Sequence, residues 1–221
     1  MQKENNVIHT VPLLWADSQD GALVADVFSM KNYRQADIFV MVGAVIGQAG
    51  AITLQKGSSV GGSPSTTLAF TRRLETGFMI KYDAPSVDTP AAAGETISGA
   101  GGGAATIVKD TGTALICYAY NGTTFVDNEL ITCSGGKTMN ADGIQINEDM
   151  LVPVAVSSNT FNVDDVGNKL YCIPISADDL GDGYDCVELN IADLNTTELA
   201  AWVNLSDPRY MAEIPETAIY D

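Results

Sequence analysis

Hydrophobic residues in this chain fall in short runs between turn-forming residues, and the runs predict strands. VIHTVPLLW (7–15) is the first, ending before the polar turn ADSQDG, and LVADVFSM (23–30) follows. DIFVMVGAVIG (37–47) is rich in β-branched and aromatic side chains and predicts a buried strand. AITLQKG (51–57) alternates Ile52, Leu54 and Lys56 against Thr53 and Gln55, and the glycines before it predict a hairpin with its predecessor. TTLAFTRRL (66–74) is a further alternating stretch, with Leu68 and Phe70 on one face.

Residues 84–105, APSVDTPAAAGETISGAGGGAA, have almost no bulky side chain and are expected to form a long loop or flexible insertion. Short runs then resume as TIVKD, TALICYAYNG, TTFVDNELITC and MLVPVAV, and Asn121-Gly122 between two of them is a hairpin cue. KLYCIPIS (169–176) and YDCVELNIA (184–192) are the cleanest late strands, joined by the turn-rich ADDLGDGYD. DLNTTELAAWVNLSDPRY admits two elements: a helix capped by Asn195 or Thr196, or a final strand LAAWVNL. The strand is preferred because the sheet would otherwise keep an open edge, and Pro208 ends either element.

Many short strands with frequent turns and little helix predict an all-β fold, an antiparallel β-sandwich or jelly roll. The long Gly/Ala-rich loop and a small second β lobe complete that expectation. Residues 1–82 and 151–221 form the expected main sandwich, and residues 83–150 an insertion or second β-rich lobe.

Composition supports a sizeable core: of 221 residues, 46% are hydrophobic and only 18% charged. The net charge is −17 and unevenly spread. Residues 1–82 hold seven basic and six acidic residues, whereas residues 83–221 hold four basic and 22 acidic ones. That acidity opposes phosphate, so nucleic acid is not an expected partner. No run reaches the ~18 apolar residues of a membrane helix, so no membrane partner is expected. The start, MQKENNVIHT, lacks the apolar core of a secretory signal, which predicts synthesis in a reducing cytosol. The cysteines at 117, 133, 172 and 186 form no CxxC pair, and His9 is the single histidine. Buried free thiols are expected, with a disulfide left open.

Catalytic patterns do not emerge. There is no HExxH or GxxxxGK[ST] arrangement. Asp164–Asp165 and Asp178–Asp179 are acidic doublets, but adjacent side chains point apart and make poor catalytic pairs. DDLGDGYDCVE (178–188) offers oxygen ligands for calcium but places Leu180 where an EF-hand needs its second acid. The chain is therefore expected to be no enzyme and to hold neither cofactor nor metal. Trp15, Trp202 and the tyrosines keep a carbohydrate-active enzyme or sugar-binding module open as another class.

NLSDPRY (204–210) concentrates polar chemistry near the chain's end. Asp207 can turn the chain through a side-chain bond to a backbone N–H, and Pro208 fixes the bend. Arg209 can pair with a carboxylate in a planar fork, and Tyr210 offers a large amphipathic contact. These roles suit a chain-end clasp or a subunit contact.

SMKNYRQADIFVMVGA, AITLQKGSSVGG and LAFTRR, followed after a variable middle by YCIPISADDLGDGYDCVELNIADLN and LSDPRY, form an ordered set. The set resembles a family of tailed-bacteriophage virion proteins of the head decoration, or cement, type. Met30, Lys31, Asn32 and Tyr33 match its LKNY element with Met for Leu, Gln55 matches a strand glutamine, and Lys56 departs from the usual Ala. Asp178–Leu180 and Asp185–Cys186 match a further stretch, with Glu188 where Arg is frequent. The resemblance implies a β-rich subunit without catalysis, made in the host cytoplasm and placed on the capsid surface as a homotrimer bound to the major capsid protein. Lys31, Asn32, Tyr33, Asp207, Pro208, Arg209 and Tyr210 are the interface or clasp residues expected on this reading. The near-neutral first third would bed against the shell, with the acidic remainder facing solvent. A tail or adaptor component, or a host-binding β-domain, is the alternative within the virion.

Overall fold

The computed structural model describes residues 8–19, 21–43, 50–87, 89–156, 158–163, 167–195, 197–209 and 218–219. In chain order the first strands are β1 (His9–Gln19), β2 (Leu23–Val24), β3 (Phe28–Ser29), β4 (Tyr33–Val42), β5 (Gly50–Gly57) and β6 (Thr66–Thr67). Next come β7 (Arg72–Asp83), β8 (Thr96–Gly99), β9 (Ala104–Asp110), β10 (Ala114–Tyr118), β11 (Leu130–Cys133) and β12 (Thr138–Ala155). The last are β13 (Thr160–Val163), β14 (Lys169–Ser176), the helical turn α1 (Ala177–Leu180), β15 (Cys186–Ile191) and β16 (Thr197–Pro208). The chain is nearly all β, with large antiparallel sheets packed together as in a β-sandwich. It divides into two compact units, Met1–Arg73 with Ala155–Asp221, and Leu74–Val154.

In the first unit, one layer runs β1-β16-β4-β14 and the other β13-β5-β15-β2, with β3 on β15 and β6 on β5. Alternation explains the packing. Val11, Val203, Ile38 and Ile173 are successive partners across the first layer, all buried. Leu54 pairs with Leu189 and Ile52 with Ile191 in the second layer, and these join the same apolar cluster. Each such side chain contributes roughly 1.5–3 kcal/mol on burial. Because the side-chain period is two, the register that buries these residues turns Pro12, Trp202 and Phe39 to the other face of the layer.

The second unit orders its strands β7-β10-β9-β8-β11-β12, and β12 also pairs with β7, so the six close into a ring. Its interior holds Phe78, Ile80, Ile97, Ile107, Leu115, Phe125, Ile131 and Met139. Among the described residues, closure leaves these six strands no free edge.

Several expectations are corrected. The 84–105 stretch is no featureless loop: it contains β8 and leads into β9, with Ala91, Ile97 and Ala105 buried. At Gly99 and Gly103 the backbone passes close to other groups, whereas Gly94 and Gly102 sit at φ +86° and +93° with open space beside them. A Cβ on Gly99 would stand 2.4 Å from Glu129 Oε1, and one on Gly103 would stand 2.9 Å from the Thr123 carbonyl. The run SGAGGGA is the β8–β9 turn, closed by the Gly99 N–H donating to the Gly103 carbonyl at 2.7 Å.

β4 and β5 form no hairpin, since they belong to opposite layers of the sandwich. Asn121-Gly122 makes no two-residue hairpin either. The Asn121 amide instead ties its own loop to the β8–β9 turn, accepting from Ala104 N–H at 3.0 Å and donating to the Gly102 carbonyl at 2.9 Å. TTLAFTRRL splits between β6 and β7, although Leu68 and Phe70 are both buried. LVADVFSM splits into β2 and β3, both laid on β15. β1 continues through the expected ADSQDG turn as far as Gln19.

ADDLGDGYD, the turn-rich joint between the two late strands, opens with α1 and carries the chain from β14 in one layer to β15 in the other. The late segment is the strand β16, lying between β1 and β4 within the layer.

Candidate interaction site

Two of the segments singled out in the sequence meet at one corner of the first unit. Met30–Tyr33 forms the turn from β3 into β4, closed by the Tyr33 N–H donating to the Met30 carbonyl at 2.9 Å. Met30 is buried and its N–H donates to the Asp185 carbonyl at 2.7 Å, which fixes the turn to the start of β15. At the far end of the chain, Pro208 pairs with Tyr33. The Arg209 N–H donates to the Asn32 carbonyl at 2.9 Å. Lys31, Asn32 and Tyr33 are thus brought together with Asp207, Pro208 and Arg209. Tyr210 lies outside the described residues, as do Asp164 and Asp165.

The side-chain roles differ from those expected. Asp207 acts through its backbone: its φ is +52°, a left-handed conformation that Asp tolerates better than most residues. Its carboxylate is exposed and makes no side-chain hydrogen bond among the described residues. Arg209 forms no ion pair among the described residues, so its guanidinium is held by no planar fork there. Tyr33 is buried, and its hydroxyl lies 2.7 Å from His9 Nδ1. Burial lowers the His9 pKa and raises that of Tyr33. Lys31 and Arg209 are exposed cations of the corner, and Arg34, beside Tyr33, is exposed as well.

Lys31 and Arg209 line an open groove of about 540 Å³ with Asp178, Asp182, Tyr184 and Asp185. The acidic wall is rigidly built. Asp179 accepts from the Ser176 N–H at 2.7 Å and from its hydroxyl at 2.8 Å, which caps α1. The Lys56 ammonium donates to the Leu180 carbonyl and sits 4.8 Å from the Tyr184 ring centroid. Gly181 and Gly183, at φ +73° and +85°, supply the turn. No group of three or more His, Cys, Asp or Glu side chains among the described residues is placed to hold a metal ion.

The second unit holds a buried ionic cluster that the sequence did not announce. Asp110 Oδ1 accepts from the Tyr82 hydroxyl at 2.6 Å and the Gly112 N–H at 2.8 Å. Its Oδ2 accepts from Lys137 Nζ at 2.9 Å and the Ala91 N–H at 2.8 Å. Burial alone would raise the Asp110 pKa, but these donors outweigh it and hold the carboxyl at about 2. The residues lie far apart in sequence, so only strand pairing reveals the cluster. The four bonds that Asp110 accepts mark the cluster as structural.

Comparison with protein-family models, with curated proteins and with solved structures found no match for this chain.

Proposed function

We propose that this chain is a structural subunit of a bacteriophage virion, a decoration or cement protein that braces the capsid through many modest contacts. Its partners on this reading are the major capsid protein and further copies of itself in a homotrimer. The observation that carries the proposal is the corner just described. The SMKNY and LSDPRY segments, nearly the whole chain apart, are locked backbone to backbone and leave Lys31 and Arg209 facing solvent. Among the described residues neither cation forms an ion pair, and both ride on backbone that the corner holds in place. A contact repeated by capsid symmetry gains avidity from each copy, so weak individual pairs suffice. The all-β fold agrees with the β-rich subunit that the sequence resemblance implies.

The test is copurification. Peptides of this chain should band with density-purified particles in a fixed ratio to the major capsid protein. The double variant Lys31→Glu, Arg209→Glu should fold normally and fall off the particle. Absence of the chain from purified particles would refute the proposal.

A further inference from the structure

His9 is the single histidine of the chain, the side chain whose ordinary pKa lies nearest neutrality, and it stands beside the corner. It opens β1 opposite Leu205, on the same inward face as Val11 and Leu13, so its ring closes one end of the sandwich core. Its Nδ1 lies 2.7 Å from the Tyr33 hydroxyl, with the two rings 5.7 Å apart. Tyr33 is only 5% exposed, so its hydroxyl depends on that partner. The backbone of Tyr33 belongs to the corner. Its N–H closes the Met30–Tyr33 turn, Pro208 pairs with it, and the neighbouring Asn32 carbonyl accepts from the Arg209 N–H. One side-chain contact thus ties the first strand to both segments of the corner.

The protonation state of the imidazole decides how well this contact works. With Nδ1 bare, the Tyr33 hydroxyl donates to it. On the imidazolium Nδ1 carries a hydrogen, so the hydroxyl must turn and accept. Its own hydrogen then has no other acceptor among the described residues. No opposite charge offsets that loss. His9 faces Leu205 on β16, with Ala36 beyond it on β4, and Tyr33. Across the sandwich the Asp26 N–H donates to the Leu13 carbonyl, further along β1. The exposed charges of the corner are Lys31, Arg34, Asp207 and Arg209, three of them cations that oppose a further positive charge. Burial holds the His9 pKa below 6.5, and no carboxylate pulls it back.

We propose that the His9–Tyr33 pair is a latch that makes the corner pH-sensitive: it is closed while His9 is neutral and loosened once His9 is protonated, and the contact made by Lys31 and Arg209 weakens with it. The latch itself stands on the geometry of the pair. Its effect on capsid binding rests on the virion reading. Above pH 6.5 the closed and open forms are both largely neutral at His9. As pH falls, the open form takes up the proton first, so opening becomes easier.

Hydrogen exchange on the full chain tests the latch. Corrected for the pH dependence of exchange itself, the Arg209 N–H of the wild type should lose protection roughly threefold or more between pH ~7.5 and pH ~5. His9→Asn places an amide oxygen near the position of Nδ1 and does not titrate, so its protection should stay level over the same range. The His9 ring protons, followed by NMR, should titrate below 6.5, and Tyr33→Phe should bring that value part of the way back up. Arg209 protection that is equal at both pH values, or that falls as much in His9→Asn, overturns the inference, as does a His9 that titrates at or above 6.5. On density-purified particles washed at the same two pH values, the wild type should be shed at the lower one and His9→Asn retained. Equal retention of the two proteins overturns the regulatory role and leaves the capsid proposal standing. Absence of the chain from particles refutes the capsid proposal, and the exchange result then decides the latch by itself.

Discussion

The backbone N–H of Arg209 donates to the carbonyl of Asn32 at 2.9 Å, joining the end of the last long strand to the turn that opens the fourth. Two residues earlier in the pairing, Asp207 must adopt φ +52° to bring Pro208 into register with Tyr33. Asp207→Gly should keep or slightly raise stability. Asp207→Val, with a β-branched side chain in a left-handed conformation, should cost about 1–3 kcal/mol. Urea titrations of the three proteins decide this, and equal midpoints for Val and Gly would show that the backbone there is relaxed.

Arg209→Ala separates folding from contact. The backbone bond to Asn32 survives the change, and the guanidinium is exposed, so the melting free energy should stay within about 0.5 kcal/mol of wild type. Incorporation into particles should fall. A large loss of thermal stability with normal incorporation would make Arg209 an internal clasp.

The Tyr82–Asp110–Lys137 cluster makes the stability of the second unit depend on pH in the acid range. Asp110 has a folded-state pKa of about 2, below its ordinary 3.8. The stabilisation is therefore complete above pH ~4 and is lost as pH falls through about 2, a difference on the order of 2 kcal/mol. Asp110→Asn should flatten that part of the stability curve. Lys137→Met should be worse than removing both charges, costing about 3–5 kcal/mol, because it leaves a buried carboxylate without its cation. Stability measured against pH from about 5 to about 2 for the wild type and both variants reads the sign directly.

All four cysteines are free and buried. Burial is the main cause that pushes Cys117, Cys172 and Cys186 up to about 12 and Cys133 up to about 11. Thiolate is the reactive form. A thiol reagent at mildly alkaline pH should therefore label none in the folded chain and four after denaturation. Rapid labelling of the native protein would show an opening that the fold does not display.

The sequence was most legible where a side chain's own pattern decided its place. Alternation placed Ile52 and Leu54 on a buried face, and the open-edge argument selected strand over helix for β16, which the structure shows between two neighbours. It was least legible where tertiary partners decide. Gly99 and Gly103 read as flexibility because nothing local announces Glu129 or the Thr123 carbonyl beside them. Asn121-Gly122 carries the chemistry of a hairpin turn, yet the amide was used to bind the β8–β9 turn. β4 and β5 are close in sequence but separate into different layers, because each finds longer partners elsewhere: β14 and β16 for the one, β15 for the other. At the candidate site, Lys31 to Tyr33 and Asp207 to Arg209 were nameable from sequence. That they touch, and that Asp207 works through its backbone, needed the fold.

The most direct measurement is symmetry-averaged electron imaging of the assembled particle. The account predicts regularly spaced density on the outer shell into which copies of the β-sandwich unit fit, with the Lys31–Arg209 corner against the major capsid protein. Density for this chain confined to the tail, or a shell with no additional protein on it, would contradict the account.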